Sequence, residues 1–416
     1  MSAVGEVQQP HPMNICLVSS EYPTDEHRGG IGTYTQKTAR GLANLGQHVS
    51  VITQSQGETS TKVEEGVTVI RLAPARRLPR LLTWAGSVAR WLNALPMPPD
   101  IVQVCEYRAE GFRYALRRNT GAKLVTRLAT PTYLVEQLNS EADGKGRRAG
   151  IIDRLERLQT QRSDAIISPT NALADLVSAK WDIPRGRVTT IRTGVDFAAR
   201  YDGQAESALP AELCGRDYIL YFGRLEQRKG VHILGQALPQ ILATHPELHV
   251  VFAGQIQEWR GQSLWSFIEQ CNAEHIDRLH SYARLPQNQL APLVRGALFV
   301  VLPSLWENLA NTCLEALDMG KPVIATLGCG FAEVIEEGRS GLLVPPGDVL
   351  ALQQAMLTLL ENRQLLSAMS TGARLRARSF HLDEVSRDLL HFYHALTDNA
   401  GNGFSESANR RASVVR

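Results

Sequence analysis

The chain has 416 residues, too many for one ordinary domain and enough for two or three of roughly 100–200 residues each. A formal net charge of +2 with 6% aromatic residues supplies neither the basic field nor the stacking platforms of a nucleic-acid binder, so no nucleic-acid partner is expected. The six cysteines form no C-x-x-C pair, no apolar run reaches the roughly 18 residues of a membrane span, and the polar opening MSAVGEVQQPHPM lacks a signal-peptide core; a reducing, cytoplasmic setting is expected.

In chain order, residues 1–13 read as a disordered start. NICLVSSEYP, from Asn14, is a short apolar run ending in turn residues, hence a buried strand. GGIGTYTQKTARGLANLGQHVSVIT, from Gly29, reads as glycine loop, helix, turn at Gly46 and strand His48–Thr53, with Tyr34, Thr38, Leu42 and Leu45 on one helix face. Strand, loop, helix and strand make a βαβ unit, whose parallel sheet is covered on both faces. GVTVIRL, DIVQVCE, AKLVTRL and DAIISPT are further strands separated by helical stretches, completing a doubly wound domain over residues 14–200. FAARYDGQAESALPAEL has poor periodicity and reads as linker, centred on 201–214. The pattern restarts with DYILYFGRL, HVVFAG, ALFVVLP, PVIAT and GLLVPP over 215–380, a last helix follows at 381–397, and the polar stretch 398–416 reads as disordered. The expected class is α/β: two tandem Rossmann-like doubly wound domains facing a cleft, with ligands at the C-terminal ends of the strands.

Three stretches carry chemistry. In SLWENLANTCLEALDMGKPVIAT, from Ser304, Glu307 falls on a loop after a strand and Glu315 about one turn inside a helix that Asn311 caps and Gly320 closes. The helix N-terminus between them is an anion site. A carboxylate on each side of an anion site suits a ligand that is negative in the middle and hydroxyl-rich at both ends, the shape of a nucleotide-sugar. The plain alternative is a capping acid and a solvated helix acid. In YFGRLEQRKGVHIL, from Tyr221, Arg224 and Lys229 follow a strand end and are placed for a diphosphate, or are simply solvated loop cations. GGIG, Gly29 to Gly32, permits close backbone approach to a ligand but is no dinucleotide fingerprint, and an ordinary turn is the alternative.

In this order, these stretches, together with TGVD and GCGFAEVIEEGRSGLLVPPGD, resemble the retaining glycosyltransferases of the GT-B fold, glycosyltransferase family 4 (glycosyl transferases group 1), over roughly residues 14–396. The resemblance implies an enzyme that moves a hexose-type sugar from a nucleotide-diphosphate donor, UDP- more than GDP-, to a hydroxyl of a saccharide, glycolipid or small-molecule acceptor, with retention and without a metal or other cofactor. It implies that Glu307 holds donor hydroxyls, that Asn308, Leu309, Ala310, Asn311 and Thr312 offer groups to sugar and phosphate, and that Glu315 binds the ribose. Arg224 and Lys229 would neutralise the leaving diphosphate and, with Glu307, form the catalytic set. Gly30 and Gly32 would lie near the diphosphate, and Arg284 and Leu285 at the base. The last helix is expected to cross back to the first domain.

The sequence departs from the family pattern at Ala129, where relatives carry a histidine, and at ENLAN, which replaces the more usual Gly-Phe-Gly. Two other classes remain open: a sugar-nucleotide 2-epimerase on the same scaffold, and a non-catalytic sugar-nucleotide-binding protein. RLAPARRLPRLLTWAGSVARWLNAL, with Arg76, Arg77, Arg80 and Arg90 among Trp84, Val88 and Trp91, reads either as a crossover helix packed on the sheet or as a weak peripheral membrane contact.

Overall fold

The computed structural model describes residues 11–23, 29–73, 80–139, 146–201 and 209–398. The first half builds an eight-stranded sheet from β1 (Asn14–Val18), β2 (His48–Gln54), β3 (Ser60–Glu64), β4 (Val67–Leu72), β5 (Ile101–Cys105), β6 (Lys123–Arg127), β7 (Ala165–Ser168) and β8 (Val188–Thr190). Its order is β3-β4-β2-β1-β5-β6-β7-β8, parallel except for the edge pair β3–β4. Helices α1 (Gly30–Asn44), α2 (Arg80–Asn93), α3 (Phe112–Arg117), α4 (Thr132–Asn139), α5 (Gly146–Gln161) and α6 (Asn171–Trp181) connect the strands. The central strands are apolar runs because they are covered on both faces: every residue of β5 is buried, as are four of the five in β1.

The second half begins with α7 (Phe197–Tyr201), β9 (Tyr218–Phe222), α8 (Val231–Thr244) and β10 (His249–Ala253). A small hairpin, β11 (Glu258–Trp259) with β12 (Gln262–Ser263), leads to α9 (Leu264–Cys271), β13 (Leu279–Tyr282), α10 (Gln287–Gly296) and β14 (Val300–Leu302). Then come α11 (Asn311–Asp318), β15 (Val323–Thr326), β16 (Gly341–Val344), α12 (Val349–Glu361), α13 (Arg363–Arg378) and α14 (Leu382–Asp398). The six-stranded parallel sheet has order β13-β10-β9-β14-β15-β16. Two parallel-sheet α/β domains thus face each other, as the sequence predicts.

The chain crosses between the domains twice, and the crossings touch. Val195 pairs with His381: the Val195 N–H donates to Phe380 O at 2.8 Å and the Leu382 N–H to Val195 O at 2.9 Å. After the second crossing α14 lies on α1, and Leu389, Tyr393 and Leu396 enter the first domain's core. The Tyr393 hydroxyl donates to Gln103 Oε1 at 2.7 Å in that core.

Several expectations need correction. The start is ordered earlier than expected, since Met13 is buried in the first domain's core. The linker reading is too simple: Phe197 and Leu213 are buried in the second core, while residues 202–208 lie outside the described residues. Trp84, Val88 and Leu92 of α2 are buried against the sheet, so the apolar face of this helix is a packing face; Arg76 and Arg77 lie outside the described residues. No described helix is long and apolar enough to cross a membrane.

Candidate active site

Glu307 stands where the loop after β14 meets the loop after β9. It is buried, and three cations surround it. Lys229 Nζ donates to its carboxylate, and Arg228 Nη1 reaches the same oxygen at 3.4 Å. Arg228 Nη2 donates to Glu226 Oε1 at 2.7 Å, while the exposed Arg224 lies 3.3 Å from Glu226 Oε2. Burial alone would raise the Glu307 carboxyl, but Lys229 and Arg228 outweigh it and hold the group below the usual carboxylate range. Burial pulls the Lys229 ammonium below its ordinary value, with Glu307 pulling the other way. Gly230 closes this loop at φ +66°, and a Cβ there would sit 1.8 Å from the Pro303 carbonyl oxygen, so only glycine brings Lys229 this close to the β14 loop.

The helix α11 starts beside this cluster. Its N-cap is Ala310, not Asn311 as the sequence suggests, and no side chain caps it. The Cys313 N–H turns back to Ala310 O at 3.0 Å, which leaves the N–H groups of Asn311 and Thr312 at the helix start for another acceptor. Gly320 ends the helix at φ +71°, as expected. Glu315, on the buried side of α11, meets Lys37 of α1 at 3.2 Å, an ion pair that joins the two domains. Burial raises the Glu315 carboxyl, against the pull of Lys37.

Two cavities meet at Glu307. The first, of about 370 Å³, lies at the ends of β9, β10 and β14, and its walls include Gly30, Arg224, Lys229, Arg284, Leu285, Glu307, Leu309, Ala310, Asn311, Thr312 and Glu315. The second, of about 400 Å³, opens toward the first domain, where Tyr107, Arg127, Ala129, Thr130 and Thr193 join Glu307 and Asn308. Gly29, Gly30, Arg224, Arg228 and Glu307 border both. Most of the residues singled out from the sequence therefore gather in the first cavity. Gly32 does not: it packs against the Glu21 carbonyl, where a Cβ would come within 2.8 Å. Asn308 faces the second cavity and ties the domains together, accepting from Thr170 Oγ1 at 2.8 Å and donating to the Ala129 carbonyl.

Hydrogen bonds to two buried carboxylates hold the backbone beneath the second cavity. The buried Glu106 carboxylate accepts the Ala129 N–H at 2.7 and 2.8 Å. Glu156 of α5 accepts the N–H groups of Arg108 at 2.7 Å and Thr132 at 2.9 Å. Arg127 lies over the Tyr34 ring, 3.4 Å from its centroid, and donates to Thr193 Oγ1 at 2.8 Å.

Sequence reasoning missed Arg228 and Lys37. Arg228 stands in the quoted RLEQRKG run, and the nearby Glu226 signals a buried counter-charge. Lys37, three residues after Tyr34, falls on the buried side of α1, where an unpaired lysine would be costly. Among the described residues no group of three or more His, Cys, Asp or Glu side chains is placed to share a metal ion.

The comparisons with known proteins agree with this layout. Residues 29–194 match the glycosyl transferase 4-like domain and residues 211–376 the glycosyl transferases group 1 family. The chain is 26% identical over 397 residues to the glycogen synthase of Mycobacterium tuberculosis, covering 88% of this chain and 91% of that protein. It is equally 26% identical to the D-inositol 3-phosphate glycosyltransferase of Corynebacterium urealyticum, over 91% and 93% of the two chains. Among solved structures, sucrose-phosphate synthase from Thermosynechococcus elongatus superposes with a TM-score of 0.76 at 20% identity, covering 93% of this chain and 99% of that one. Anabaena Alr3699/HepE in complex with UDP superposes with a TM-score of 0.68 at 17% identity, over 92% and 100%. Its two halves thus carry, in chain order, a glycosyl transferase 4-like domain and a glycosyl transferases group 1 domain, and the chain is a glycosyltransferase of GT-B type.

Proposed function

We propose that this protein transfers a hexose-type sugar from a nucleoside-diphosphate sugar, UDP-linked in preference to GDP-linked, to an acceptor hydroxyl, with retention at the anomeric carbon and without a metal. The observation that carries the reading is the meeting of two cavities at Glu307, beside three cations and an uncapped helix N-terminus. The first cavity takes the donor, with its base toward Arg284 and Leu285, its ribose at Glu315 and its diphosphate between the start of α11 and Arg224, Arg228 and Lys229. Fixed cations and helix N–H groups aimed at a leaving diphosphate stabilise its developing charge, the role a divalent metal takes elsewhere. The buried Arg228 Nε has no protein partner among the described residues and supplies one more N–H. The Anabaena relative is solved with UDP-glucose, which favours uridine as the base and glucose as the sugar.

The acceptor enters from the second cavity, where Tyr107, Arg127, Thr130 and Thr193 offer aromatic surface and hydrogen bonds. The retention proposed here rests on the resemblance to retaining relatives, and the two carboxylates bear only on its route. Glu307 is bound by two cations and Glu315 by Lys37, so neither is an unengaged nucleophile for a double displacement. The acceptor hydroxyl then attacks from the face the diphosphate leaves, and a phosphate oxygen takes its proton.

The test is a thermal-shift panel of UDP-, GDP- and ADP-sugars with and without chelator, followed by transfer to candidate acceptors with the product anomer read by NMR. Stabilisation by UDP-glucose that survives chelator, and an axial product linkage from an axial donor, support the reading. A chelator-sensitive shift or an inverted product refutes the corresponding part of it, and an epimerised donor without acceptor would replace it.

A further inference from the structure

The ion pair between Lys37 and Glu315 spans the cleft and sits at the wall of the donor cavity. The two side chains are only 9% and 7% exposed, and Nζ lies 3.2 Å from Oε1. Glu315 borders the cavity, whereas Lys37 is not among its wall residues and stands behind the carboxylate. A carboxylate has two acceptor oxygens. With Oε1 held by the ammonium, Oε2 is the one left for a ligand.

The surroundings make Lys37 the cation that matters here. Asp196 and Asp318 are the other charged groups acting on Glu315, and both oppose its negative charge. Asp196 is engaged by Arg40, and Asp318 accepts the Ala198 N–H at 2.7 Å. Without Lys37 the Glu315 carboxyl would be a buried acid with two acidic neighbours and no partner to fix its rotamer.

We propose that Lys37 is a positioning residue for the nucleotide ribose: it holds Glu315 Oε1 so that Oε2 accepts the ribose diol, and it makes ribose recognition depend on contact between the two domains. This rests on the donor-cavity reading given above. It adds that a residue of the first domain, with no contact to the nucleotide, sets the preference for a ribose. Because the pair exists only when α1 and α11 are together, a ligand that uses Glu315 also favours the closed arrangement of the domains.

The test uses the full chain and calorimetric titration with UDP, GDP and ADP, their 2′,3′-dideoxy counterparts, and inorganic pyrophosphate. Wild type is expected to prefer the ribonucleotide by about tenfold or more, as for a hydrogen bond to a charged acceptor. Lys37→Met is expected to reduce that preference to within about threefold while leaving pyrophosphate affinity unchanged; Lys37→Arg, which keeps the cation, retains most of it. Unchanged pyrophosphate binding shows that the cavity still folds. A Lys37→Met variant that keeps the full ribose preference overturns the proposal and leaves the donor cavity standing. So does one that loses ribonucleotide, dideoxynucleotide and pyrophosphate binding alike, which marks a purely structural pair. Wild type that binds none of the nucleotides overturns the donor-cavity reading and this proposal together.

Discussion

Replacing Lys229 by methionine separates the structural part of the Glu307 cluster from its chemical part. Lys229 is the closer of the two cations on the Glu307 carboxylate; Arg228 remains at 3.4 Å but is shared with Glu226. Removing one partner of a buried pair costs about 3–5 kcal/mol, and the remaining arginine keeps the loss near the lower limit. For a domain of this size a loss of about 3 kcal/mol lowers the melting midpoint by roughly 6–12 °C. The chemical part is larger in rate. A preorganised donor aimed at charge that develops only in the transition state contributes about 10²–10³ in kcat and little in KM. The assay is steady-state release of nucleoside diphosphate, well below the variant's melting midpoint, with the donor that the thermal-shift panel identifies. A variant that melts early but turns over within about threefold of wild type would refute the assignment of Lys229 to the leaving group. Its role would then be confined to holding Glu307.

Gly330→Ala tests the backing of the same loop. The Gly330 N–H donates to Glu307 O at 3.0 Å, and a Cβ at Gly330 would fall 1.3 Å from the Asn308 carbonyl oxygen. The loop has to shift, so donor KM should rise by about tenfold and the melting midpoint should fall, with a loss of about 1–3 kcal/mol; kinetics and melting identical to wild type would contradict the packing described. A third prediction concerns pH. Burial pushes the Glu110 carboxyl up from 4.5 to about 7 and the Glu156 carboxyl to about 8. An acid with a raised folded-state pKa binds its proton more tightly when folded, so its contribution to stability is complete below pH 4.5 and is lost as pH rises through about 7 for Glu110 and about 8 for Glu156. Stability should therefore fall across that window, by at most about 1.4 kcal/mol per pH unit per group. Glu110→Gln should flatten the slope up to about pH 7, and an unchanged slope in chemical unfolding at several pH values would count against it.

The fold was legible where burial on both faces wrote itself as short apolar runs. NICLV, IVQVC, YILYF and VIAT needed no more than their length and their turn residues to be read as strands. β3 was not legible: STKVE is mostly exposed and polar, and it is a strand only because it pairs along β4 at the sheet edge. β13, LHSY, carries one buried residue, Leu279, and gave no periodic signal. Glu307, Arg224 and Lys229 could be singled out because they lie on the loops that follow β14 and β9, and Glu315 because it stands about one turn inside the helix after the first of these, so spacing along the chain reflects position in space. Lys37 could not, since its partner is 278 residues away and only the folded cleft brings them together. Gly32 was misread for the opposite reason: the glycine run opens α1 instead of forming a loop, and Gly32 shares the first turn with Gly30 but turns into the protein, against Glu21.

The return of α14 to the first domain has a consequence for how the molecule is made. Tyr393 is fully buried, and with Leu389 and Leu396 it fills a core otherwise built from buried residues between Met13 and Ile191. The second domain closes its core with residues 195–380, all of which precede that helix. Synthesis runs from the N-terminus, so the half that leaves the ribosome first waits longest for its own core, and the half that follows has all its parts before it.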